Sequence, residues 1–167
     1  FMKCISYSLF GFDRERQANC FDFASYLRGF MINVRCSRLL FPDWDIVLHL
    51  DKSTYDGFPL LFDGLKIQIR IEQDAPLCKA MLWRLKPCFE RNANNDSKYT
   101  HVICRDVDSP PTYRDAQAVA HWIQHDKMAH AITDSVSHDV PLMGGMIGVM
   151  PIRFNEKVGN SWDNMLM

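Results

Sequence analysis

Asp106 and Asp108 stand two residues apart at the end of an apolar run, in the stretch Tyr99-Thr100-His101-Val102-Ile103-Cys104-Arg105-Asp106-Val107-Asp108-Ser109. On a strand, side chains alternate between faces, so positions i and i+2 share one face with roughly 7 Å between their Cα atoms. Two carboxylates on one face repel each other unless something cationic sits between them. A hard divalent ion such as Mg²⁺ or Mn²⁺ prefers carboxylate oxygen and keeps open positions for phosphate oxygens. The plain alternative is a solvated strand end whose acids pair with Arg105 or a lysine.

The rest of the chain supplies elements that could hold such a pair. Lys3 to Leu9 is β-rich and stops at Gly11. Arg14 to Phe30 carries Cys20, Phe23, Ala24, Leu27 and Phe30 at helical spacing. Asp45 to Leu50 reads as a buried strand, Phe58 to Leu65 as a short helix, and Lys66 to Ile71 as a half-buried strand. Leu77 to Phe89 has a helical stripe that Pro87 should kink or end. After the acid pair, Thr112 is a good N-cap with Asp115 three residues on, followed by Ala116, Val119, Ala120 and Ile123 on one helical face. Met128 to Thr133 and Met143 to Met150 look like two further strands.

Strands alternating with helices predict an α/β fold with a mainly parallel sheet flanked by helices, in a single domain spanning residues 1–167. In such sheets ligands bind beyond the carboxyl ends of the strands. Ser6, Tyr7 and Ser8, then Asp51, then Asp106 and Asp108 all lie at or just past such ends, so they are expected to converge on one edge.

Composition narrows the partners. Hydrophobic residues make up 47% and charged residues 23% of the chain, as in an ordinary globular domain. A formal net charge of −1 argues against a broad electrostatic footprint on nucleic acid or on an anionic membrane. No apolar run approaches the ~18 residues of a membrane span, and no basic-then-apolar leader is present. Cys4, Cys20, Cys36, Cys78, Cys88 and Cys104 are scattered, without a C-x-x-C pair. Six free thiols in a reduced, cytoplasmic setting are the expectation.

The ordered series Trp83-Arg84-Leu85, Arg105-Asp106-Val107-Asp108-Ser109, Tyr113-Arg114-Asp115 and Trp122-Ile123 goes on to His130, Asp134 and His138, and ends in Leu142-Met143-Gly144-Gly145-Met146-Ile147-Gly148. It resembles a family of bacterial and viral glycosyltransferase-like proteins across residues 3 to 150. The resemblance implies a GT-A-like, Rossmann-like fold with an Asp-x-Asp metal site and a glycine-containing strand facing the acceptor. Asp106 and Asp108 would be the metal pair, His138 the histidine of the later motif, and Gly144 and Gly145 the small residues beneath the sugar. Pro110 and Thr133 stand where the family has arginine, Asp115 replaces a glutamate and Ile147 a tryptophan. The family also continues past the glycine strand, so the expectation is either a truncated chain or a minimal member, with a glycosyltransferase activity implied by the resemblance.

A nucleotide-sugar donor leaves as a nucleoside diphosphate, and a divalent cation on Asp106 and Asp108 would neutralise the developing charge as a Lewis acid. Arg84 and Arg105 could add bidentate contacts to phosphate; surface charges or local ion pairs are the alternative for both. Asp51 could bind ribose or base, or simply cap a helix. Tyr7 could stack on a base or belong to the core. His138 could complete the metal site or act as a base. Asp134, with Asp139 as runner-up, could act on the hydroxyl of an unknown glycan, protein or lipid-linked acceptor. Two other classes remain open: a phosphatase or phosphotransferase of the haloacid-dehalogenase kind, which also uses D-x-D after an apolar strand, and a non-catalytic nucleotide- or sugar-binding domain.

Overall fold

The apolar runs that alternate with helical stripes fold as one open α/β sheet. The computed structural model describes residues 2–15, 22–133 and 145–166. In chain order these form β1 (Met2–Leu9), α1 (Phe12–Glu15), α2 (Phe23–Leu40), β2 (Asp45–Asp51), α3 (Lys52–Gly57), α4 (Pro59–Gly64) and β3 (Gln68–Glu72). Then come α5 (Leu77–Leu82), which runs on as a 3-10 helix (Trp83–Phe89), and β4 (Tyr99–Arg105). The chain continues through α6 (Tyr113–Gln124), β5 (Ala129–Ala131), β6 (Met146–Val149), α7 (Pro151–Val158) and α8 (Trp162–Met165).

The strand order is β3-β2-β1-β4-β6-β5. The first four strands are parallel, with Ile5 level with Ile46 on one side and with Ile103 on the other. β6 runs antiparallel to both β4 and β5. Alternation along the strands divides the core into two layers. Ile5, Tyr7, Leu9, Leu48, Leu50 and Ile103 meet Phe30 and Val34 of α2, Phe62 of α4, and Val119 and Trp122 of α6 on one face. Cys4, Val47, Val102, Cys104 and Val149 meet Cys88 of the 3-10 helix on the other, with Phe89 and Phe154 packed alongside. Each large side chain so buried gains roughly 1.5–3 kcal/mol on leaving water.

This topology fixes where a ligand can enter. From β1 the chain steps outward to β2 and β3, with α2 and α4 on one face of the sheet. It returns across the opposite face, through α5 and the 3-10 helix, to place β4 on the far side of β1. The order therefore reverses between β1 and β4, and a crevice opens at their carboxyl ends.

Several expectations need correction. The long helix is not Arg14 to Phe30: it begins after the N-cap Asp22, whose carboxylate accepts from Ser25 N at 3.1 Å, and runs to Leu40. The strand that follows α6 in the chain, β5, forms the sheet edge, and β6 lies between it and β4. The acid pair was read as part of a strand, but β4 ends at Arg105 and both acids lie in the turn beyond it. The Thr112 cap formed as expected: Asp115 Oδ2 accepts from Thr112 N at 2.6 Å and Asp115 N donates back to Thr112 Oγ1 at 3.3 Å. The described cysteines, Cys4, Cys36, Cys78, Cys88 and Cys104, are all free thiols.

Candidate functional site

A cavity of about 400 Å³ occupies the crevice between the ends of β1 and β4. Ser8, Leu9 and Phe10 line it from the β1 side, and Asp106, Val107 and Asp108 from the β4 side. Tyr26 of α2, with Leu77 and Met81 of α5, adds apolar wall, and Arg84 of the 3-10 helix supplies a guanidinium. The polar groups are therefore a hydroxyl, a cation and two carboxylates, set among apolar and aromatic walls. That composition suits a ligand with a charged or polyhydroxylated part and a flat apolar part.

The turn carrying the acids is held from below. Ser109 N donates to Asp106 O at 3.2 Å, closing Asp106 to Ser109. Val107, between the acids, is buried in the core. Its carbonyl accepts from Asn33 Nδ2 at 2.7 Å, and the same amide group reaches Gly29 O at 3.0 Å. Gly29 lets α2 approach: a β-carbon there would lie 2.5 Å from Val107 O and 3.0 Å from Asp108 Cα. With Val107 pinned under the helix, the flanking carboxylates face the cavity.

Arg84 is equally fixed. Its main-chain N–H donates to Ser8 Oγ at 2.9 Å, and its carbonyl accepts from Cys104 Sγ at 3.3 Å. Burial pushes the Cys104 thiol up to about 12, so it stays protonated and able to donate. The Arg84 guanidinium, 9% exposed, pairs with Asp106 Oδ1, whose side chain is 40% exposed. Asp106 is thus bound on its inner side and open on its outer side. Gly145 packs against Asp106: a β-carbon there would fall within the Asp106 carboxylate, so the acid can lie where it does only against glycine.

Among the expected site residues, the structure brings Ser8, Arg84, Asp106, Asp108 and Gly145 together. It separates four others. Ser6 is fully buried within β1. Tyr7 is a core residue, edge-on to Phe30 with ring centroids 5.4 Å apart and its hydroxyl 2.8 Å from Ser37 Oγ, so no base can stack on it. Asp51 caps α3 through Thr54 N at 2.9 Å and accepts from Gly11 N at 2.8 Å. Arg105 points away from Asp106, toward Asp115 of α6 rather than toward Arg84. It lies 3.6 Å from Asp115 and donates to Ser109 O at 3.2 Å. Asp134, His138, Asp139 and Gly144 lie outside the described residues.

The sequence reading missed Asn33, Gly29, Phe10, Tyr26 and Met81. One signal was available: an isolated glycine inside a helical segment marks close approach of another backbone. Asn33 gave none, because a polar residue on a helix is ordinarily assigned to solvent.

The donor set can be weighed against the needs of a divalent cation. Among the described residues no group of three or more His, Cys, Asp or Glu side chains is placed to hold a metal. That excludes from them a closed, all-protein site of the structural zinc kind. Mg²⁺ and Mn²⁺ ask for less, since one or two carboxylates plus substrate phosphates and water complete their shells. Asp106 and Asp108, two oxygen donors on one cavity wall, fit that requirement.

Fold and cavity together define an α/β protein with a six-stranded, mostly parallel mixed sheet and a ligand crevice at its switch point. Among the described residues no helix is long and apolar enough to cross a membrane. Compared with protein-family models, with curated proteins and with solved structures, the chain matches none.

Proposed function

We propose that this chain is a metal-dependent glycosyltransferase with a GT-A-like fold, which takes a sugar from a nucleoside-diphosphate sugar and passes it to a hydroxyl acceptor. The observation that carries this proposal is the convergence of Asp106, Asp108, Arg84 and Ser8 on one cavity at the carboxyl ends of β1 and β4. A Rossmann-like parallel half, an Asp-x-Asp turn at its switch point and a glycine beside that turn are three features the family resemblance calls for. Their presence in one place supports it.

In this proposal Asp106 and Asp108 hold Mg²⁺ or Mn²⁺, which supplies Lewis-acid stabilisation of the leaving diphosphate. Arg84 is buried, anchored through its own backbone and always charged, so it can offer a diphosphate oxygen a preorganised pair of N–H donors. It supplies the cationic charge that Pro110 and Thr133 do not. Ser8 fixes the Arg84 backbone, and Phe10 and Tyr26 provide flat surface for a base. Gly145 leaves the Asp106 carboxylate the room it needs to lie at the cavity wall.

Incubation with nucleoside-diphosphate sugars and, separately, with a phosphate monoester tests the proposal, with Mn²⁺ present in both. Release of nucleoside diphosphate from the sugar donor, dependent on metal, is the expected result. Release of phosphate from the ester would indicate a phosphatase instead. Nucleotide binding without turnover of either would indicate a binding domain.

A further inference from the structure

A second metal chemistry is available on the surface of α6, away from the cavity. His121 and His125 stand one helical turn apart, and both are exposed. Residues i and i+4 of a helix share a face, and here the two imidazoles lie side by side, with ring centroids 3.9 Å apart and planes 30° from parallel.

The tautomer provides an independent indication. His125 Nδ1 is 2.8 Å from the main-chain oxygen of His121. A carbonyl can only accept, so Nδ1 is the donor in this bond, and Nε2 of the exposed side chain is left for another partner. A histidine that donates one ring N–H to a backbone carbonyl while the other nitrogen faces outward has the arrangement usual for a metal ligand. The platform is also rigid. Trp122 Nε1 donates to Lys127 O at 2.7 Å, and Arg153 reaches Asp126 O at 2.6 Å and Asp126 Oδ2 at 2.5 Å. These bonds fix the C-terminal end of α6, where the negative end of the helix dipole favours a cation.

We propose that His121 and His125 form a bidentate site for a borderline transition-metal ion such as Zn²⁺, Ni²⁺ or Cu²⁺. Imidazole nitrogen suits these ions, whereas Mg²⁺ and Mn²⁺ select the oxygen donors at Asp106 and Asp108. Bringing the two Nε2 atoms onto one ion requires the stacked pair to open, which the exposed side chains allow. Among the described residues no further acid, thiol or imidazole closes the shell, so water or a donor from another molecule fills the remaining positions. The site is independent of the proposed transferase reaction.

Calorimetric titration of tag-free protein with Zn²⁺ or Ni²⁺ at about pH 7.5 tests it. One ion per chain is expected, and His121→Ala or His125→Ala should each weaken binding by about tenfold or more. Asp106→Asn should leave this binding unchanged. Both histidines are exposed, so the variants should keep the parent's circular dichroism. Equal binding by the parent and both histidine variants would overturn the site, as would the absence of any one-to-one binding in the parent.

Discussion

Asp51 and Asp106 occupy matching places, each at the carboxyl end of a parallel strand, with only β1 between those strands. Their fates are opposite. Asp51 is buried, and its carboxylate is taken up by Gly11 N, Thr54 N and Ser53 Oγ. Asp106 is partly open, and its shown partner is the Arg84 guanidinium, itself a lining residue of the cavity. The cause lies in the next few residues of the chain. β2 runs straight into α3, whose first turn needs its free N–H groups satisfied, so the strand-end acid becomes a cap. β4 runs into a turn that is held by Val107 and Asn33 instead, which leaves its acids available. An acid at a strand end is therefore left open or used as a cap according to whether the next residues begin a helix.

The largest effect should come from filling the space beneath Asp106. Gly145→Val would push the carboxylate out of place. We expect loss of metal-dependent nucleoside-diphosphate binding by well over tenfold, with overpacking costing about 1–3 kcal/mol of stability. Calorimetry on the folded variant, paired with urea unfolding, separates the two effects. Parent-like binding with only the stability loss would mean that Asp106 does not act at the site.

Asp51→Ala should do the reverse. It removes a helix cap and leaves the buried Gly11 N–H without its acceptor, for a stability loss of about 2–4 kcal/mol by urea unfolding. Ligand binding by the folded fraction should be preserved, and a selective loss of binding would return Asp51 to the site. Asn33→Ala should fall between, costing about 1–2 kcal/mol and weakening binding severalfold as the acid turn loosens. Unchanged binding would show that the turn holds its shape without α2.

The smallest expected effect is a pH dependence set by buried and half-buried histidines and glutamates. Burial holds His49 below its ordinary value of 6.5, although Glu72 accepts from its Nδ1 at 2.6 Å. His101 and His130 are lowered by burial as well. Glu72 and Glu90 are also held below their usual range: burial, the largest influence, raises them, but bonds to His49 and Lys86, and to Arg70 and Lys98, outweigh it. In all five the unfolded chain takes up protons first as pH falls, so stability rises with pH. Thermal unfolding should show a decline beginning below about pH 6.5 and a second below about pH 4.5, as the unfolded histidines and then glutamates protonate. A flat profile between pH 7 and 5 would mean that these histidines are not buried neutral.

The parallel strands were legible because β1, β2 and β4 are short apolar runs with polar stops, and the α6 cap was legible from Thr112 and Asp115. The reach of α2 was not, for a physical reason. Beyond Phe30 its buried face includes Asn33 and Ser37, which bond Val107 O and the Tyr7 hydroxyl. Polar residues facing inward erase the apolar period that marks a helix. Those same two residues anchor the acid turn and remove Tyr7 from the site, so the helix and the site support were hidden by one feature. Arg105 takes the local ion pair that was its alternative, lying 3.6 Å from Asp115.

Asp106 and Asp108 acting as one metal–diphosphate site is the central claim. The most direct test is thermal unfolding of the parent, Asp106→Asn and Asp108→Asn with nucleoside diphosphates, each with and without Mn²⁺. At a ligand concentration 100 times its Kd, binding should add about 2.7 kcal/mol to the parent's stability. That gain should require Mn²⁺ and should vanish in both variants, while their unliganded stability stays close to the parent's. A gain of the same size in the variants, or one in the parent that does not depend on metal, would contradict the assignment.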